Sequence, residues 1–553
     1  MIFSNCRLPE LGEEELLAQY AFVVRDRESA LQGSSEESRV FLADRYGGLG
    51  MALHGGSGRV GHDGRFEAKG IGLTPLATSR AVDHAYSSGE ASVIECILEL
   101  IWGEVLEEAL PHGAVRSLAV LDTGLPFESA GDLASHDVCS MRGILVRQRA
   151  YRPAHFMRAI YAQVAPGEHL VPDHVRTANA INALPYLLPL PAESNDRPMS
   201  RVERLHAGMH EMVERLARQH AAARARRFMH GAITASNLTL DGRWIDYEST
   251  SHVPVFGSSE HFYPPFWSDD RGIWRTIEYL SYYIDKYFDD GDPGIRNNYV
   301  ELFHQRLASE QRTASLSVLG IPEGLLTDLD SKDALVMDKL GDIVLRIAKS
   351  GRTRPFCGAD TDFHTFGHYN LADIAVRLAA TDQDESRDRM LSAAISCPAL
   401  RERLVTTYNH ALGVLRRHNT VRSWHRRGLA GLLIFGATKL ASQFPLLREG
   451  KLKSKLEAIC AEVPDRVDLR HAIEELLQSI VADVKLAMSG YRGDGIVVAN
   501  DHGSALKFYP TTAELVYLDN GSAERLRIHS QFDVPKDLTQ SIALIDRFSQ
   551  RTG

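Results

Sequence analysis

HGAITASNLTLDGRWIDYE, residues 230–248, alternates apolar and polar positions around the dipeptide Asp241-Gly242, the composition of a tight turn between two short extended arms. Asn237 stands on one arm and Asp246 on the other. An amide and a carboxylate at the two ends of such a hairpin can converge on one Mg²⁺, a hard cation that takes oxygen ligands beside substrate phosphates.

Three features upstream of the hairpin point the same way. Glycines crowd Gly47, Gly48, Gly50, Gly55, Gly56 and Gly58, ahead of Arg59. Without side chains, their backbone N–H groups can approach phosphate oxygens, although ordinary hairpin turns have the same composition. Lys69 follows in FEAKGIGL, a strand pattern from which an ammonium could reach a phosphate, or simply meet solvent. Glu99 then sits in ASVIECILELIWGEVLEEAL, whose apolar spacing predicts a largely buried helix. A carboxylate on a packed helix face needs a cation, and Lys69 is the one available; a solvated helix edge is the alternative.

The chain has 553 residues, 44% hydrophobic and 24% charged, enough for about three to four modules with buried cores. With 62 Lys and Arg against 72 Asp and Glu, the net charge is −10, which argues against general attraction to nucleic acid or to an anionic membrane. Acidic residues stand where a signal peptide would be basic, and the longest apolar run, near Gly428 to Ala437, is far short of the ~20 residues that span a bilayer. Six scattered cysteines form no C-x-x-C pair and read as reduced thiols. A soluble, cytoplasmic protein is expected.

Texture along the chain divides it into 1–165, a sheet-and-helix lobe carrying the Gly-rich segment, Lys69 and Glu99; 166–300, holding the hairpin; 301–490, a helical extension; and 491–553, a small antiparallel meander with a terminal helix. The helix expected from Arg201 to Arg226 places Arg218, Arg224 and Arg226 in its last turns, where cations suit the dipole.

In order and spacing these motifs resemble the selenoprotein O family, kinase-fold proteins that transfer AMP from ATP to protein hydroxyls. The matching residues are Tyr46-Gly47-Gly48, Gly56-Ser57-Gly58-Arg59, Lys69-Gly70-Ile71-Gly72-Leu73-Thr74-Pro75, Glu99, an arginine pair at Arg147 and Arg152, His230-Gly231, Asn237 and Asp246-Tyr247, within roughly residues 40–290. The resemblance implies an α+β, bilobal protein-kinase-like fold that uses ATP and Mg²⁺. Gly56, Gly58, Arg59, Lys69, Arg147 and Arg152 would bind the nucleotide, with Lys69 and Glu99 aligning its phosphates. Asn237 and Asp246 would hold the metal, and ATP would lie reversed relative to kinases, exposing its α-phosphate.

The family's general base, an Asp before the metal-binding Asn, is Ser236 here. General-base help is worth about 10²–10⁴-fold, and a serine cannot supply it at neutral pH. Two expectations follow. The acceptor is a peptide or small-molecule carboxylate, already ionised and needing no base; or the chain is a catalytically weak pseudokinase, a nucleotide-binding partner subunit. A looser similarity to proteins encoded in microcin-maturation clusters fits both, with an acyltransferase-like partner protein acting on a peptide C-terminus. An insertion, TSRAVDHAYSSGE, also separates Lys69 from Glu99.

Other clusters read as structural. His364 and His368 in DTDFHTFGHYN have one-turn spacing, as do His206 and His210, but no H-E-x-x-H accompanies either pair. The arginines around Trp424 (Arg416, Arg417, Arg422, Arg426, Arg427) read as a solvated face or an interdomain contact, with RNA binding the less favoured alternative.

Overall fold

The computed structural model describes residues 3–5, 7–8, 11–23, 39–48, 54–77, 88–127, 141–163, 170–192, 198–253, 266–290, 298–349, 371–380, 389, 391–392, 395, 397–441, 444–463, 465–491, 495–501, 504–518 and 538–549. The architecture is α+β. Its N-terminal part holds β1 (Phe3–Ser4), α1 (Glu13–Tyr20), β2 (Val60–His62), β3 (Phe66–Lys69), β4 (Ala91–Ser92), α2 (Val93–Ala109), β5 (Ser117–Pro126) and β6 (Met141–Gln148). The strands form an antiparallel sheet in the order β1-β5-β6-β3-β2, with β4 also paired to β6.

Period-two alternation sorts the strand residues between the two faces of this sheet. Phe66, Ala68, Ile144 and Val146 join Leu16 and Tyr20 of α1 in a small core on one face. Val120 and Leu145 pack into the larger core with α2 on the other. Lys69, Glu67 and Arg147 fall on this second face by the same alternation. Polar side chains thus line a sheet face that is elsewhere apolar.

A capping box starts α2: the Ser92 hydroxyl accepts from the Glu95 N–H (3.2 Å), and the Glu95 carboxylate accepts from the Ser92 N–H (2.9 Å). The helix is buried nearly all round, Glu99 and Glu104 included, so it needs cover on every side. Downstream come α3 (Asp173–Ala183), α4 (Arg201–Ala225), β7 (Phe228–Met229), β8 (Ser251–His252), α5 (Arg271–Tyr287) and α6 (Asn298–Leu316). Then follow α7 (Ser331–Lys349), α8 (Leu371–Ala380), α9 (Pro398–Arg417), α10 (Gly428–Leu440), α11 (Lys451–Glu462) and α12 (Arg466–Met488). The chain finishes with the antiparallel meander β9 (Ile496–Asp501), β10 (Ser504–Tyr509), β11 (Glu514–Leu518) and then α13 (Leu538–Ser549).

The cores do not follow the chain order expected from sequence texture. Leu469, Ile473, Leu477 and Val484 of α12, with Leu456 and Ile459 of α11, belong to the same core as α2 and α4. A second core unites residues between Leu316 and Ala441 with the meander. Segment 301–490 is therefore shared between two cores, because the far side of α2 is apolar and α11 and α12 cover it.

The hairpin of residues 230–248 is present: Leu238 pairs with Trp244, and β7 pairs with β8 around it. The reading of six reduced thiols needs correction. Among the described residues Cys96 and Cys397 are free, whereas Cys460 is disulfide-bonded. Residues 78–87 of the insertion TSRAVDHAYSSGE (78–90), His364 and His368 lie outside the described residues. Among the described residues no helix is long and apolar enough to cross a membrane.

Candidate functional site

Lys69 closes β3, and its side chain reaches both acids expected to accompany it. Its Nζ donates to Glu99 Oε2 at 2.5 Å and to Asp246 Oδ1 at 2.8 Å. Arg147 on β6 lies directly across from Glu67 on β3. Its Nε donates to Glu67 Oε2 (2.9 Å), and its Nη1 donates to Asp246 Oδ1 (2.9 Å) and to Glu99 Oε1. Arg152 heads the short turn Pro153–Phe156. Its Nη1 donates to Asp246 Oδ2 (3.1 Å) and to the Ser236 carbonyl (2.8 Å), and its Nη2 to Glu67 Oε2 (3.3 Å).

Three cations thus interlock with three carboxylates, Glu67, Glu99 and Asp246. Burial of such charges is tolerable only when each is paired and hydrogen-bonded. Burial alone would push the Asp246 carboxyl up; the charges of Lys69, Arg147 and Arg152 outweigh it and hold the group well below the usual carboxylate range. Burial opposes the charge on Lys69 too, and Asp246 with Glu99 reverses the effect, so the ammonium is more basic than usual. Arg147 and Arg152 are raised by the same balance, against their burial. Even so, Arg147 Nη2 and Arg152 Nε are buried without a partner among the described residues, leaving donors for an anion that enters.

The backbone around Asp246 is built to present it. Asp246 has φ +63°, the left-handed region that a non-glycine residue adopts at a cost of about 1–3 kcal/mol and that concentrates at functional sites. His230, fully buried and held by burial below the ordinary imidazole range, bonds through Nε2 to the carbonyl of Ile245 (3.0 Å), next to the strained residue. Gly231 has φ +80°, and a Cβ there would stand 2.4 Å from the Ser249 carbonyl oxygen, so the turn tolerates only glycine.

Asn237 and Ser236 sit on the arm facing Asp246. The Ile245 N–H donates to the Asn237 carbonyl (3.2 Å), tying the arms together. The Asn237 side-chain amide donates to Ala232 O (2.8 Å), and its Oδ1 accepts from Ser236 Oγ (3.2 Å), which also lies 2.9 Å from Thr234 Oγ1. The place where a general base would stand is thus a pair of hydroxyls. Asp246, Asn237 and these hydroxyls are all oxygen donors, with one carboxylate among them. That set suits Mg²⁺ held jointly with phosphate oxygens, because Mg²⁺ binds through one or two carboxylates plus substrate phosphates more often than in a protein-only cage. His220, Asp269 and Asp270 also bring metal-type donors together, and Arg224 donates to both acids (3.0 and 2.6 Å), as Lys69, Arg147 and Arg152 do to Asp246.

The Gly-rich segment is placed differently. Gly56, at φ +150°, packs where a Cβ would come 2.2 Å from Asp44 O. The amides of Gly55 and Ser57 donate to Leu76 O (3.1 Å) and Asp44 O (2.9 Å), and Thr74 N donates to Gly58 O (3.0 Å). The segment is folded against the Lys69–Pro75 stretch. Arg59 donates to Glu90 O (3.0 Å) near the start of α2, and its charge is felt at Lys69. The coordinates therefore bring Lys69, Glu99, Arg147, Arg152, Asn237, Ser236 and Asp246 together, with the Arg59 charge felt at Lys69, while Gly56 packs against Asp44 and Leu76 and Gly58 against Thr74 and Ala77.

Glu67 is the member that sequence reasoning missed. Its signal was available: two residues before Lys69 on a strand, it shares that residue's face. No protein-family model matches the chain, and no curated protein matches it at a significant level.

Proposed function

We propose that this protein is a bilobal, kinase-like nucleotidyltransferase of selenoprotein O-like type, using ATP and Mg²⁺ to place AMP on a carboxylate. The observation that carries this reading is the convergence of Lys69, Arg147 and Arg152 on Asp246, with two buried arginine N–H groups still lacking acceptors among the described residues. A triphosphate supplies oxygen acceptors for these donors. On binding, phosphate oxygens share these cations with Asp246, freeing its carboxylate to act with Asn237 as the metal-holding pair. Bound Mg²⁺ would neutralise phosphate charge as it develops during transfer. Glu99 keeps Lys69 aimed as a point charge, while Glu67 braces both arginines from behind.

Ser236 sets the acceptor. Its hydroxyl, bonded to Asn237 and Thr234, cannot take a proton from an attacking alcohol near pH 7. An ionised carboxylate needs no such help. Its oxygen attacks the α-phosphorus, the bond to the bridging oxygen of pyrophosphate breaks, and an acyl-adenylate and pyrophosphate result.

A second reading, a pseudokinase that binds nucleotide to support a partner, is favoured by one feature. Both Asp246 oxygens are engaged by Lys69, Arg147 and Arg152, and three carboxylates balance the three cations.

The experiment uses ATP labelled at the α- or the γ-phosphate, with peptide or small carboxylate acceptors and hydroxylamine to trap acyl-adenylate as hydroxamate. Label transfer from the α-position only, with hydroxamate formation lost in Lys69→Ala and Asp246→Ala, is expected. Ser236→Asp should add transfer to hydroxyl acceptors. Consumption of neither label, with ATP still raising the melting temperature, would favour the partner-subunit reading; absence of ATP binding as well would end both.

A further inference from the structure

A pocket of about 290 Å³ lies at the seam between the two large cores, lined by the end of α4, α6, the turn after it, the last turns of α10 and the end of α12. None of the nucleotide-site residues lines it. Its size falls at the lower end of the range for small-molecule sites, and seams between structural units are where such sites concentrate.

Its wall holds two cations with no acid in contact. Lys439 is 4% exposed, and its Nζ donates to the carbonyl and the hydroxyl of Ser489, both at 2.6 Å. An ammonium has three protons to donate, so one remains. Arg226 donates to the Ala109 carbonyl. Among the described residues no carboxylate oxygen lies within ion-pair distance of either group. Arg218 in the same wall is paired with Glu323 (2.5 Å), and Glu310 is a half-buried carboxyl pushed up by burial. Ala222, Ala314, Leu440 and Met488 supply an apolar surface beside these charges.

A buried ammonium without an acid is destabilising. Burial lowers the Lys439 amine to about 7, so between that pH and its ordinary value near 10.5 the unfolded chain binds more protons than the folded one. Stability attributable to this group therefore rises with pH across that window. An anion against Lys439 would offset the cost.

We propose that this pocket is a second ligand site, taking a small organic anion whose charged head lies between Lys439 and Arg226 and whose body rests on the apolar wall. Carboxylate and phosphate heads share the required chemistry. Because the head favours the ammonium over the free amine, binding above neutral pH draws in a proton and weakens as pH rises; the other charged groups facing the pocket are Arg218, Arg226, Glu310 and Glu323.

The full-length protein, with Lys439→Met and Arg226→Met variants, is titrated with benzoate, phenyl phosphate and neutral benzamide, following melting temperature and heat. Expected is a rise in melting temperature with at least one of the two anions and none with benzamide, with affinity falling at least tenfold in each variant and weakening from pH 6.5 to 8.5. The better of the two anions identifies the head. In parallel, pyridoxal phosphate condenses with reactive amines to an imine, releasing water, and borohydride fixes the product for peptide mapping. Lys439 should be the principal lysine labelled, and the effective anion should protect it. Lys439→Met is expected to fold at least as stably as the parent, since it removes a buried charge of similar volume. Equal anion binding by the parent and both variants, or no anion response together with no labelling of Lys439, would overturn the site.

Discussion

Glu67 contacts no expected ligand, yet it accepts from both arginines of the site. Glu67→Gln keeps the shape and removes the charge, leaving Arg147 and Arg152 with only Asp246 and Glu99 to balance them alongside Lys69. Breaking a buried pair in this way costs about 3–5 kcal/mol, so the urea midpoint should fall accordingly. Asp246 gives a pH signature. Its folded-state carboxyl is held below its unfolded value, so its contribution is complete above about pH 4 and is lost as the pH falls through the lowered value. Stability measured from pH 7 down to pH 2 should show an acid-labile component in the parent. Asp246→Asn should lack that component and be less stable at pH 7. Lys69 with Glu99 was legible from residue type and order, because burial forces an ion to find its counter-ion. Glu67 and the engagement of the glycine amides were not, since each depends on which strands become neighbours.

At the scale of elements, α2 is the piece on which the site depends, because it carries Glu99 and begins beside Arg59. Its capping box should be separable from the chemistry: Ser92→Ala is expected to lower stability by about 0.5–2 kcal/mol in denaturant titration while leaving nucleotide affinity within twofold. The helix α2 and the long helix α4 were readable from apolar spacing, which is a local signal. Strand order was not readable, since β3 pairs with β6 across more than seventy intervening residues and no local pattern encodes that pairing.

At the scale of the whole molecule, the apparent run of segments conceals an exchange of cover. Helices α11 and α12 roof the first core from far along the chain, while the meander closes the second. The texture of the sequence reports where elements change, not which of them share a core. A fragment of residues 1–300 should accordingly expose the apolar back of α2, bind a hydrophobic dye and melt without a cooperative transition, whereas a sharp two-state melt would contradict the shared core. This bracing also bears on biosynthesis. When Asp246 leaves the ribosome, the roof over its partner helix has not been translated, and the stretch from Asp246 to Met488 takes on the order of 10–50 s to make at about 5–20 residues per second. Through that interval the nascent chain carries a greasy, half-covered helix, and the cluster around Asp246 gains its full bracing only once translation is nearly finished.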